Sequence, residues 1–95
     1  MKLIWSDDAR ADRIRIYDYI DANNSRAAIA VDERIREALG RLLQFPMSGR
    51  VGRIDGTREL VIDRTPYIAA YRIADKTIRV LRLLHGAQEW PDDFS

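Results

Sequence analysis

The sequence predicts an α+β fold: an N-terminal edge strand, then an antiparallel helical hairpin packed on a small, mainly antiparallel sheet, in the order β-α-α-β-β-β. Three observations lead there. Residues 6–44 carry two apolar stripes at helical spacing, interrupted only at Asn23-Asn24. Residues 57–85 carry three β-prone runs joined by short turn-rich segments. The chain has 95 residues, 46% hydrophobic and 33% charged, which is room for one small domain, residues 1–95, without linkers or repeats.

Lys2-Leu3-Ile4-Trp5 is short, apolar and β-prone, as suits an edge strand. Ser6 is a good helix cap, and Asp7 and Asp8 complement the positive end of the helix that follows to about Ala22. Ala9, Ile16, Tyr17 and Ile20 share its apolar face, while Arg10, Asp18 and Asp21 lie largely away from it. Arg13 falls within that face, where a snorkelling stem with a charged partner at the edge would account for it. Ile14 falls outside it, either as a scattered apolar residue or as part of a partner-binding surface. Ser25 is read as the cap of a second helix reaching about Gln44, with Ala28, Val31, Ile35, Ala38, Leu39 and Leu42 as its stripe. Two intervening asparagines make the pair an antiparallel hairpin.

Phe45-Pro46 ends the helical region, and Met47–Gly56, with three glycines, reads as a loop. The strands expected next are Thr57–Ile62, Tyr67–Ile73 and, after a tight Ala74-Asp75-Lys76 turn, Thr77–His85. Alternation groups Arg58, Leu60 and Ile62. It groups Tyr67, Ala69, Tyr71 and Ile73, and it sets Ile78, Val80, Arg82 and Leu84 against Arg79, Leu81, Leu83 and His85. The last strand is apolar on both faces and therefore interior or covered twice. The tail, Gly86–Ser95, docks Trp90 and then frays.

Composition removes several function classes. The absence of cysteine excludes disulfide scaffolds, thiolate zinc sites and cysteine nucleophiles, and a single histidine argues against a metal centre, so neither metal nor cofactor is expected. No apolar run reaches the ~18–20 residues of a membrane span and the N-terminus is no signal peptide, so a cytoplasmic protein without a membrane partner is expected. Net charge is +1, which does not by itself point to nucleic acid. Residues 44–90, however, hold eight basic side chains against five acidic ones, and 14 of the 16 basic residues are arginine.

Gly49-Arg50-Val51-Gly52 leads into a strand, so it is no phosphate-cradling loop, and no serine sits at a nucleophile elbow. Asp7-Asp8 and Asp92-Asp93 read as a helix start and a solvated tail. What remains is Arg58, Arg64, Arg72, Arg82 and His85, on or beside the three strands. Arginines could hold phosphates while a histidine exchanges a proton with a ribose hydroxyl, as metal-free RNA cleavage requires. The plainer reading pairs the arginines with Glu59, Asp63, Asp75 and Glu89 to hold the sheet and tail, with His85 as a structural hydrogen-bonder.

Three segments together resemble the RelE/ParE toxin superfamily: Gly52-Arg53-Ile54-Asp55-Gly56-Thr57-Arg58-Glu59-Leu60-Val61-Ile62, Thr65-Pro66-Tyr67-Ile68-Ala69-Ala70-Tyr71-Arg72-Ile73, and Ile78 through His85-Gly86-Ala87-Gln88-Glu89-Trp90-Pro91. The resemblance implies the toxin of a type II toxin–antitoxin module. It implies a cognate antitoxin with a dimeric DNA-binding N-terminal part, a C-terminal segment that wraps the toxin, and a higher-order complex. Ile14 and Tyr17 are the candidate antitoxin contacts. RelE-like members cleave mRNA on the ribosome, whereas ParE-like members inhibit DNA gyrase. Glu59 and Val61 stand where RelE-like nucleases show paired lysines, and no catalytic aromatic follows His85, which favours the ParE-like branch. Target contacts are then expected among Arg58, Arg64, Arg72, Arg82, His85, Gln88 and Trp90. Under the nuclease alternative His85, Arg58 and Arg82 are the catalytic candidates; a third possibility is an inactive antitoxin-binding remnant.

Overall fold

Ser6 leaves an extended strand and accepts the Ala9 N–H at its side chain, so strand and helix meet without a loop. The computed structural model describes residues 1–94 and has the elements β1 (Lys2–Trp5), α1 (Asp7–Asp21), α2 (Ser25–Arg41), β2 (Arg50–Val51), β3 (Arg58–Val61), β4 (Tyr67–Ala74) and β5 (Thr77–His85). The expected α+β order holds, with one addition: β2 is a two-residue strand inside the segment read as a loop. A run this short, with glycine on both sides, has no periodicity for sequence reading to detect. The second helix is capped by Asn24 rather than Ser25, because the Asn24 side chain accepts the Ala27 N–H. It also stops at Arg41, and residues 42–44 continue only as turns.

The five strands form one mixed sheet in the order β1-β5-β4-β3-β2. β1 pairs in parallel with β5 at the sheet edge, and the remaining pairs are antiparallel. The helices cover one face. Ala9, Ile35, Leu39 and Leu42 pack there against Ile62, Ala69, Tyr71, Ile78, Val80 and Leu83. The β4–β5 hairpin closes through Asp75 and Lys76, both with positive φ, as a two-residue turn between right-twisted strands requires.

Simple alternation fails in β5. The register slips between Ala70/Tyr71 on β4 and Arg82/Val80 on β5, which leaves Leu81 as an extra residue. Ile78, Val80 and Leu83 therefore share the helix-covered face, while Arg82, opposite Ala70, faces the other way. The expected grouping of Arg82 with Ile78 and Val80 is thus corrected: a bulge resets the side-chain phase. The tail docks through Trp90, whose indole N–H donates to the His85 carbonyl at 3.3 Å. Fraying is expected beyond Trp90, but Phe94 lies against the Trp90 ring with centroids 6.4 Å apart, so the tail stays packed there; Ser95 lies outside the described residues.

Candidate functional site

Two buried carboxylates organise most of the candidate arginines. The first is Asp12, 2% exposed on α1. β1 ends at Trp5, so beyond Val80 the outer edge of β5 has no strand beside it. Ser6 takes over first, donating its N–H to the Val80 carbonyl and its hydroxyl to that of Leu81. Asp12 completes the cover, accepting the Leu83 N–H at 2.9 Å while gripping Arg82 at 2.7 and 3.1 Å. Arg15 adds a third cationic contact at 3.0 Å from the surface. The hydrogen bonds from Arg82 to the Asp12 carboxylate hold its guanidinium above its ordinary pKa, against the effect of burial.

The second is Glu59 on β3, 3% exposed. Burial alone would raise its pKa. Hydrogen bonds from the Arg53 side chain and backbone N–H and from Arg50, at 2.9–3.2 Å, outweigh that and bring it down to about 2. Arg53 then stacks on Trp90, its guanidinium carbon 3.6 Å from the ring centre. Glu59 thus fastens the β2 loop and the tail to one point on the sheet.

The remaining candidates are dispersed. Arg58 lies opposite Tyr71, on the helix-covered face, and donates to the Gly49 carbonyl at 2.6 Å. Tyr71 donates to the Pro46 carbonyl and accepts the Gly49 N–H, so the chain passes tightly beneath its ring. A Cβ at Gly49 would meet the Tyr71 hydroxyl at 2.6 Å, which is why glycine stands there. His85 accepts the Ala87 N–H at Nδ1 (3.0 Å), packs edge-on against Tyr67, and donates its backbone N–H to the Gln88 Oε1 (2.8 Å). Arg82, Gln88 and Trp90 do line one groove, with Leu84, Glu89, Pro91 and Asp92. Arg64, with positive φ and a long 3.7 Å contact to Asp63, belongs to another corner beside Arg34 and Arg41. Arg72 sits at the hairpin end, reaching only the Gly56 carbonyl at 3.4 Å.

The antitoxin candidates lie together on α1. Ile14 is 62% exposed, and Tyr19, which sequence reasoning missed, is 74% exposed. Ile14 and Tyr19 line an open groove with Ala11, Arg15 and Asp18; Ile14 also borders a second one with Tyr17, Arg13 and Asp32. Arg13 has the partner expected of it, a two-point contact with Asp32 at 2.7 and 2.9 Å, and also lies over the Trp5 ring. Asp12 was also missed. Its signal was an acid three residues from Ala9 and four from Ile16, on the helix's apolar side. Among the described residues no three His, Asp or Glu side chains form a metal-ligand set, and no helix is long and apolar enough to cross a membrane.

The family comparison places this helical hairpin on a small mixed sheet, with an apolar strip exposed along its first helix, among the toxins of the RelE/ParE superfamily. The chain belongs to the family described as the ParE toxin of the type II toxin–antitoxin system parDE, whose sequence model matches residues 3–90. Toxin Y4kP of Sinorhizobium fredii is 44% identical over 73 residues, covering 77% of this chain and 75% of that protein. Toxin RelE2 of Caulobacter vibrioides is 32% identical over 87 residues, covering 92% and 97%. Among solved structures, the chromosomal ParDE system of P. aeruginosa superposes with a TM-score of 0.81 at 30% identity, covering 90% of this chain and 95% of that one. The RelBE2 toxin–antitoxin complex of Mycobacterium tuberculosis gives 0.60 at 27% identity, covering 88% and 95%. The protein is therefore a toxin of the type II toxin–antitoxin class.

Proposed function

We propose that this toxin acts in the cytoplasm by binding and inhibiting DNA gyrase, not by cutting mRNA. One observation carries the reading: the residues that a nuclease would need do not converge. Arg58, opposite Tyr71, and His85, opposite Tyr67, lie on the helix side, four residues apart along β4 or about 13 Å. Arg82 projects from the opposite face and is held by Asp12. No single scissile phosphate could touch all three, and the His85 Nδ1 is already occupied by a backbone N–H. A toxin without converging acid–base groups acts by occupying its target, as the ParE-like resemblance implies. The antitoxin, dimeric through its DNA-binding part, would lay an amphipathic segment along Ile14, Tyr17 and Tyr19.

The test is a gyrase supercoiling assay with purified toxin, with and without antitoxin. Inhibition or trapped cleaved DNA, reversed by antitoxin, is expected. No effect from protein that still arrests growth overturns the reading in favour of mRNA cleavage, and induction that leaves growth unaffected makes the chain an inactive remnant. Separately, Ile14→Asp should weaken antitoxin binding about thirtyfold, the ~2 kcal/mol of an interface hot spot. An unchanged Kd would remove this residue from the interface.

A further inference from the structure

At the β4–β5 hairpin end, the sheet face turned away from the helices carries a second set of cations that form no ion pair within the fold. Pairing of Lys2 with Thr77, Ile4 with Arg79 and Arg72 with Arg79 places Lys2, Arg72 and Arg79 on one face across three adjacent strands. Arg72 and Arg79 stand directly opposite each other, where like charges repel. Neither makes an ion pair with another described residue. A shallow groove of about 260 Å³ runs between them, floored by Ile4, Ala74 and Thr77, with Asp75 at its rim as the only carboxylate. The turn that ends it, Asp75-Lys76, brings a fourth cation to the same end of the sheet.

We propose that this patch binds the phosphodiester backbone of duplex DNA. Two facing guanidinium groups with no carboxylate within ion-pair distance are stabilised by an external oxyanion, and guanidinium forks match phosphate oxygens. Three strands about 4.8 Å apart spread the cations over about 10 Å, the length on which one DNA strand presents about three charges. An acidic peptide would have to supply carboxylates at that same density. The proposal deepens the gyrase reading, since that target holds DNA, yet it is measured without gyrase.

The measurement is fluorescence anisotropy of a short labelled DNA duplex titrated with toxin over a range of salt. Binding in low salt is expected, with log K falling against log salt at a slope of about −3 for three engaged cations. Arg72→Gln/Arg79→Gln should lower affinity at least about tenfold in low salt and flatten the slope by about two, whereas Arg36→Gln on α2 should change neither. Melting monitored by circular dichroism establishes that the variants fold. No binding in low salt, equal loss in the Arg36→Gln control, or tighter binding of a single-stranded RNA or an acidic peptide overturns the proposal. Toxin that fails to bind DNA but still blocks supercoiling overturns this inference alone and leaves the gyrase reading standing.

Discussion

The arginines of this toxin divide into two groups that look alike in sequence and differ in what they face. Arg82 and Arg15 close on buried Asp12, and Arg50 and Arg53 close on buried Glu59. Arg72 and Arg79, across the β4–β5 pair, stand opposite each other and neither forms an ion pair with a described carboxylate. Within the first group, charge is internal cement, because each carboxylate is out of water and depends on its guanidinium partners. Within the second, charge is surplus to the fold and available to an outside partner. Abundance of arginine therefore carries no functional meaning until the opposing group is known.

The largest effect should come from removing a carboxylate of the first group. Asp12→Ala leaves the Leu83 N–H unpaired and the Arg82 charge without its partner. We expect a loss of about 3–5 kcal/mol in urea unfolding, a large share of the stability of a domain this size. A loss below about 1 kcal/mol would mean the two arginine groups do not differ in kind.

Next comes a pH effect at Glu59. Its folded pKa of about 2 lies below its ordinary value of 4.5, so its contribution is complete above about pH 4.5 and disappears as pH falls through about 2. The depression corresponds to no more than about 3 kcal/mol, less after solvent screening of the half-exposed Arg50 and Arg53. Glu59→Gln should lower stability at neutral pH and make the stability profile less steep than the parent's between pH 4.5 and 2. Parallel pH profiles for the two proteins would contradict the assignment.

The smallest effect belongs to the second group. Arg72→Gln/Arg79→Gln relieves a cross-strand repulsion and breaks no ion pair, so unfolding free energy should stay the same or rise by up to about 1 kcal/mol. A clear loss of stability would show that these arginines also serve the fold.

Much of this architecture was legible. The helical hairpin followed from period alone, Arg13 was read as needing a charged partner and has Asp32, and Ile14 was read as exposed and is. Thr77–His85 was read with its observed boundaries. Illegible features depend on distant partners. Asp12 meets Arg82 across 70 residues, and no local pattern encodes that pairing. The bulge at Leu81 arises where β1 stops beside β5, so the phase reversal that sends Arg82 and Leu83 to opposite faces belongs to the sheet, not to the strand. For the same reason Arg58, opposite Tyr71, and Arg82, opposite Ala70, end on opposite faces of the sheet.

The parallel pairing of β1 with β5 also sets an order of events. Ser6 finds its partner Leu81 only 75 residues further along, so during synthesis β1 emerges long before anything exists for it to join. The helical hairpin, built from near neighbours, can form while the sheet is still being made. Docking of β1 and closure of Asp12 over the bulge require residues of β5 and so can follow only once these have been made. The sheet face turned away from the helices is thereby completed only after every residue of the helical hairpin has been made.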